Sequence, residues 1–139
     1  MKKFTNFVGL DVHKETIAVI TGSWLKDPAD PQWADDQAVQ AYRAFMKKYY
    51  PEGDPVDVFN VNGYSMSQAI TEVLRRCKDD LTRENVLRQA TNLKDVELPM
   101  LLPGLKLNTS PQDYQPVKYV QPARFDGARL VRFGELAGQ

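Results

Sequence analysis

Hydrophobic and polar positions follow different periods in different parts of the chain. Two short β-rich runs, residues 7–12 and 17–21, are separated by the polar stretch HKET, which is the pattern of a β-hairpin. Through the middle of the chain, the apolar residues recur at helical spacing. Residues 117–133 then alternate like two paired strands around Asp126-Gly127, one of the better hairpin signals. The pattern predicts a β-hairpin, three helices and a second β-hairpin.

Each predicted helix has its own signal. The first spans about residues 35–50, and either of the adjacent Asp35 and Asp36 can cap its N-terminus. The third is short and covers about residues 82–93. The second covers roughly residues 60–77, and its apolar stripe consists of Val61, Tyr64, Ile70, Val73, Leu74 and Cys77.

Proline-rich segments separate these zones. One precedes the first helix, and another, ELPMLLPGLKLNTSPQDY, follows Leu93. Pro122 predicts that the first C-terminal strand lies at a sheet edge or contains a bulge. Because three helices need a sheet to cover, such a run of elements usually belongs to a larger α/β scaffold. The predicted fold class is therefore α/β.

Composition excludes several classes of protein. The 139 residues carry 18 Lys plus Arg against 18 Asp plus Glu, so no overall field attracts nucleic acid. The single cysteine, Cys77, excludes an internal disulfide and a multi-cysteine metal site. No stretch approaches the roughly 18 apolar residues of a membrane span. Polar residues interrupt any apolar signal-peptide core near the N-terminus, so the chain as written is expected to be cytoplasmic, without membrane insertion.

Asp11 and His13 are the first candidates for chemistry. On a strand they project to the same face, so both could touch a divalent ion. One Asp and one His do not make the carboxylate-rich site of two-metal catalysis, and composition favours solvated residues at the end of a hairpin strand. The chain also offers no phosphate-binding glycine loop and no Ser or Cys nucleophile with a His nearby. We therefore predict no catalytic residue, no metal site and no cofactor.

Phe59 and Tyr64 flank the start of the second helix in the stretch VFNVNGY. Aromatic residues at such spacing more often form core than ligand surface. A strand-to-helix entry, however, is where ligands dock in open α/β sheets, and helix N-terminal amides attract carboxylates. Asn60 and Asn62 add polar groups at this place. The pattern indicates a site for a small molecule with an apolar part and an acid group.

From about Thr21 to its end, the chain resembles the C-terminal part of a type I periplasmic substrate-binding protein. The segments that carry the resemblance are WLKDPADPQWADD, AYRAFMKKYYPEGDP, NVNGYSMSQAITEVLRRCKDDLTRENVLRQATNLKDVELPMLLPGLKLNTSP and RFDGARLVRFGEL. These proteins serve ABC transporters for branched-chain, other hydrophobic or aromatic amino acids and related acids. The resemblance implies two α/β lobes that close on a small amino-acid-like ligand, with an ABC permease as partner. By position, Phe59 matches a residue that packs against ligand, and Tyr64 lies one turn further along the same helix.

Residues 1–20 resemble a different family. FTNFVGLDVHKETIAV is similar to the opening strand pair of DEDD transposases, in which Asp11 would be the first acidic metal ligand. The remaining acids of that family lie in sequence that this chain does not contain. The two resemblances together predict a gene fusion, with a transposase-like hairpin over residues 1–20 and the periplasmic-binding-protein part over residues 21–139.

Three hypotheses follow for function. The first is a truncated, impaired substrate-binding component of an ABC transporter, periplasmic by family although the chain as written has no signal peptide. The second is a DEDD transposase remnant acting on DNA, which the missing acids disfavour. The third is a self-associating structural module, a homo-oligomer formed through exposed helix faces.

Overall fold

The computed structural model describes residues 8–13, 16–126 and 130–138, and it describes the backbone alone for residues 8–13, 16–23, 125 and 130. The elements found in these ranges are β1 (Val8–His13), β2 (Thr16–Ser23), a 3₁₀ helix (Pro31–Trp33), α1 (Gln37–Tyr49), α2 (Val58–Cys77), α3 (Arg83–Ala90), β3 (Tyr119–Phe125), β4 (Leu130–Arg132) and β5 (Ala137–Gly138). The predicted α/β class and the order of hairpin, helices and hairpin are confirmed.

The strands form one antiparallel sheet in the order β1-β2-β3-β4, and β5 pairs with β3. Val8 lies opposite Thr21 in the first hairpin, and Gly22 lies opposite Pro122 where β2 meets β3. The two predicted hairpins therefore share one sheet. The strands belong to one compact unit of the chain, and residues Leu25–Val117 form a second. The predicted domain boundary between residues 20 and 21 concerns the origin of the segments and stays a prediction.

Pro122 does not lie on an edge strand, because β3 is flanked by β2 and β4. Its carbonyl oxygen accepts a hydrogen bond from the Phe133 amide at 3.0 Å, one residue beyond the end of β4. A residue in a strand directs its N–H and C=O to the same neighbour, so the donor that proline lacks faces the gap between β4 and β5. Pro122 therefore interrupts the hydrogen-bond ladder, but it does so in an interior strand and not at a sheet edge.

Side-chain oxygens cap the three α-helices of the second unit. The Asp36 carboxylate accepts from the amides of Ala38 and Val39 at the start of α1, and the hydroxyl of Thr82 caps α3. Asp57 caps α2, which begins two residues earlier than predicted. α3 ends at Ala90, three residues short of its predicted end, because the chain turns there to bring the following leucines inward.

The irregular segment after α3 supplies much of the core of the second unit. The proline-rich run between residues 93 and 107 lacks helix and strand, yet its leucines, Val96 and Met100 are buried. Bridges join Val96 to Leu107 and Leu25 to Leu101, so the backbone polar groups of these positions are paired. The buried apolar side chains of this unit are Leu25, Val39, Tyr42, Met46, Val61, Val73, Cys77, Leu93, Val96, Leu98, Met100, Leu101, Leu102, Leu105 and Leu107. Among the described residues, no helix is long and apolar enough to cross a membrane.

Candidate ligand-binding groove

A groove of about 870 Å³ runs along α2 within the second unit. Its volume falls in the usual range of sites for small molecules, although one side of it is open. We call this feature the α2 groove. Its lining residues are Phe45, Met46, Tyr50, Phe59, Asn60, Gly63, Tyr64, Ser67, Gln68, Thr71, Glu72, Arg75, Arg76, Val96, Glu97, Leu98 and Pro99.

Aromatic rings form the part of the groove near the start of α2. The ring of Tyr64 lies 5.1 Å from that of Tyr42 and 5.0 Å from that of Phe45, in tilted arrangements that are favourable for aromatic pairs. Tyr42 is fully buried beneath them, whereas Phe45 is 42% exposed. Phe59 is 79% exposed and presents most of its ring to solvent. This end of the groove is a fixed aromatic wall with one open ring beside it.

The N-terminus of α2 does not attract a carboxylate, contrary to the sequence-based expectation. No strand precedes the helix, since residues 51–57 form turns. The Asp57 carboxylate already accepts from the Phe59 amide at 2.7 Å, and Asp54 accepts from the Val56 amide at 2.9 Å. Two carboxylates therefore occupy the place where a ligand acid was expected, and they would repel it.

Burial raises the pKa of the Tyr42 hydroxyl, and the charges of Asp57 and Asp54 raise it further. The hydroxyl is buried and has no hydrogen-bond partner among the described residues. It therefore stays neutral, and Tyr42 acts as the apolar floor under Tyr64.

In the described part of the chain, the end of the groove near the C-terminus of α2 carries an unpaired positive charge. Glu72 pairs with Arg76 through Oε1 and Nε at 2.9 Å, and Glu97 pairs with Lys106 at 3.1 Å. Arg75 is exposed and makes no ion pair or hydrogen bond with its side chain in the part of the chain that the structure describes. Its charge is uncompensated, so this end of the groove suits an anionic group.

Gln68 lies between these two ends and supplies a polar atom for a ligand. Its Oε1 is buried and, within the described residues, has no hydrogen-bond donor. Ser67 and Thr71 donate their hydroxyl hydrogens to the carbonyl oxygens of Gly63 and Ser67, so their oxygens remain as acceptors. A buried acceptor without a donor is costly, so a rotation of the Gln68 amide that brings this oxygen to a ligand ammonium group would relieve the cost.

The structure brings the two predicted site residues, Phe59 and Tyr64, to one groove. Asp11 and His13 are two residues apart on β1, where they lie opposite Ala18 and Thr16 of β2. The structure describes only the backbone of these residues. No group of three His, Cys, Asp or Glu that could hold a metal ion occurs among the residues that the structure describes.

Sequence reasoning missed Gln68, Arg75 and residues 96–99 of the groove. The signal for Arg75 was present, because Phe59, Gly63, Ser67, Thr71 and Arg75 recur every fourth residue along α2, and four residues make about one helical turn. The last three residues of this run, Ser67, Thr71 and Arg75, lie on one side of the helix and place two small polar side chains before a cation. Residues 96–99 reach the groove through the irregular segment, which no periodicity predicts.

An open groove that joins an aromatic wall to an uncompensated arginine is the geometry of a small-ligand binding site. The comparison with protein families agrees with this class, since the model described as periplasmic binding protein matches residues 4–129. This match covers most of the chain, which therefore belongs to the periplasmic binding protein family. The family is a non-enzymatic binding family whose role is to bind a substrate. Comparison with curated proteins and with solved structures finds no significant match.

The family match begins at residue 4 and thus runs through the segment that resembles DEDD transposases. The comparisons give no support to that resemblance or to the transposase hypothesis. The gene fusion remains a prediction from the sequence.

Proposed function

We propose that the α2 groove binds a single α-amino acid with an apolar or aromatic side chain, and that the chain is the substrate-binding part of an ABC transport system for such amino acids or related acids. The observation that carries the proposal is the order of groups along α2. Tyr64 belongs to the aromatic wall, Gln68 follows with an unpartnered acceptor, and Arg75 comes last with an uncompensated positive charge.

Tyr64 and Arg75 are three turns apart, about 16 Å along the helix axis, so a single amino acid reaches both only when the Arg75 side chain extends back toward Gln68. Tyr64 and Gln68 are one turn apart, and Gln68 and Arg75 are two turns apart, about 10 Å along the helix axis. The long arginine side chain shortens that distance. The ligand's side chain packs against Tyr64 and Phe59, its ammonium group donates to Gln68 Oε1, and its carboxylate faces Arg75.

The affinity of this arrangement is expected to be modest. Tight small-molecule sites bury most of the ligand, whereas the α2 groove is open along one side. Ligand atoms that remain in water contribute no burial energy, at about 25 cal/mol per Å² of apolar surface. Dissociation constants well above those of a closed two-walled site follow from this geometry.

A thermal unfolding scan with a ligand panel tests the proposal. The panel contains leucine, isoleucine, valine and phenylalanine, their α-keto acids, and leucinamide. At a hundred times its dissociation constant, a ligand that binds the folded state stabilises it by about 2.7 kcal/mol. We expect the amino acids to raise the midpoint most, because the keto acids lack the donor for Gln68 and leucinamide lacks the charge for Arg75. Absence of a shift with every member of the panel would contradict the proposal.

Matched variants separate binding in the groove from nonspecific stabilisation. Arg75→Gln should abolish the shift caused by leucine, whereas Arg83→Gln, on the first turn of α3, should leave it unchanged. Phe59→Ala should reduce the shift for phenylalanine, and Tyr114→Ala, which removes an aromatic ring of comparable exposure, should not. Equal loss of the ligand shift in the control variants would place binding elsewhere.

A further inference from the structure

Tyr50 lines the α2 groove from the end of α1, and it is held differently from the other rings there. The rings of Tyr42, Phe45 and Tyr64 pack on one another. The ring of Tyr50 lies against the backbone of Gly53 instead. A Cβ atom built at Gly53 would overlap Cδ1 and Cε1 of the Tyr50 ring and would lie 2.9 Å from its Cγ. The ring therefore occupies the space that any side chain at position 53 would need.

A tight turn after α1 brings Gly53 under the ring. The Gly53 amide donates to the Tyr50 carbonyl oxygen at 3.0 Å. Pro51 stands at the second position of this turn, where its fixed φ is favourable. The described glycines with positive φ are Gly104 and Gly134, so the backbone at position 53 has a conformation that other residues also adopt. The ring of Tyr50 is thus the feature that requires a glycine here.

The contact with Gly53 leaves much of the Tyr50 ring uncovered. Tyr50 is 45% exposed although its ring is seated on the turn, and it lines the groove together with the more open Phe59. A ring that is already held in place loses little further freedom when a ligand packs on it. An aromatic ligand group gains more from such a surface than an aliphatic one, because ring pairs add an electrostatic attraction to the burial of apolar area.

We propose that Tyr50, positioned by Gly53, is a specificity-determining residue of the α2 groove, and that it selects a ligand with an aromatic side chain over one with a branched aliphatic side chain. This inference rests on the proposed function and narrows the apolar part of the ligand to one class. Gly53 is not among the residues that line the groove, so it acts on the ligand through the Tyr50 ring.

Dissociation constants for phenylalanine and leucine, measured by NMR titration, test the role of the ring. Tyr50→Leu should weaken phenylalanine binding by about threefold to tenfold, as expected for the loss of one aromatic pair, and leucine binding by less than about twofold. Tyr50→Phe keeps the ring and should retain the native ratio of the two constants. Equal weakening of both ligands in Tyr50→Leu would indicate a merely structural role and would overturn the proposal.

Gly53→Ala tests the positioning of the ring. It should lower the preference for phenylalanine as Tyr50→Leu does, and the two substitutions together should lower it no further, because each removes the ring from its seat. Gly138→Ala is the matched control, since a Cβ atom there overlaps the ring of Tyr119, which is 48% exposed and belongs to the other compact unit. This control should leave both dissociation constants unchanged.

The same titrations separate failure of this inference from failure of the proposed function. A native protein that binds neither phenylalanine nor leucine would overturn the proposed function and this inference with it. Native binding together with an unchanged ratio of the two constants in Gly53→Ala would overturn this inference alone.

Discussion

At the scale of single residues, the Asp36 carboxylate joins two functions at the start of α1. It accepts hydrogen bonds from the Ala38 and Val39 amides, and it pairs with Lys26 Nζ at 2.8 Å. Burial raises the pKa of this carboxyl, but the hydrogen bond from Lys26, the amide hydrogen bonds and the Lys26 charge together hold the pKa below its ordinary value. The neighbouring Asp35 is exposed and caps nothing.

We expect Asp36→Ala to lower the free energy of unfolding by about 1–2 kcal/mol, the usual cost of losing such a cap, and Asp35→Ala to change it by less than about 0.5 kcal/mol. Because the native pKa is depressed, the contribution of Asp36 is present at neutral pH and fades as the pH falls below about 4. Urea unfolding at neutral and acidic pH measures both effects. Equal costs for the two variants, or a cost that grows on acidification, would contradict this assignment.

Thr109 closes the end of α3 from a distance in sequence. Its hydroxyl donates to the Ala90 carbonyl oxygen at 2.7 Å and accepts from the Leu93 amide at 2.9 Å. Thr109→Val keeps the shape of the side chain but leaves two part-buried backbone groups unpaired, so we expect a loss of about 1–3 kcal/mol in unfolding free energy. Thr109→Ser retains the hydroxyl and should lose much less. Chemical denaturation of the two variants compares them directly, and equal losses would count against the role of the hydroxyl.

At the scale of elements, the sequence carried enough information for the helices and the two hairpins but not for the pairing of β2 with β3 or for the irregular segment after α3. Asp36, Asp57 and Thr82 are local start signals, because a capping side chain bonds to amides two or three residues away. The edge alternative for Pro122 was wrong because the pairing of β2 with β3, which makes β3 an interior strand, joins residues about a hundred positions apart. No local pattern encodes such a pairing.

The α2 groove was predictable only in part, because only some of its residues have a local signal in the sequence. Phe59 and Tyr64 are aromatic residues beside a helix start, and that local feature singled them out. The expected anion site at the helix N-terminus was wrong, because Asp57 itself provides the negative charge there. Within the described residues, Arg75 has an unpaired charge because Glu72 forms its ion pair with Arg76. The sequence alone does not show which of these two adjacent arginines pairs with Glu72.

At the scale of the whole molecule, residues Leu25–Val117 have the properties of an independent folding unit. This unit contains α1 to α3 and the buried leucines of the irregular segment. Its N-terminal end is held to the irregular segment by the bridge between Leu25 and Leu101, and its C-terminal end by the hydrogen bond that the Asn108 amide donates to the Pro116 carbonyl oxygen. We expect a protein consisting of residues 25–117 to unfold cooperatively in urea, with a midpoint close to that of the full chain. A noncooperative transition of the shorter protein would show that the strands are required for its core.

The central claim is that the α2 groove binds a small apolar amino acid, and a titration followed by two-dimensional ¹H–¹⁵N NMR tests it most directly. Added leucine should shift the amide resonances of the groove-lining residues of α2, among them Tyr64, Gln68 and Arg75, and of residues 96–98, and the shifts should saturate with one dissociation constant. The Arg75→Gln protein should show no saturable shifts at the same concentrations. Unchanged spectra, or shifts confined to the strands, would contradict the assignment of the binding site.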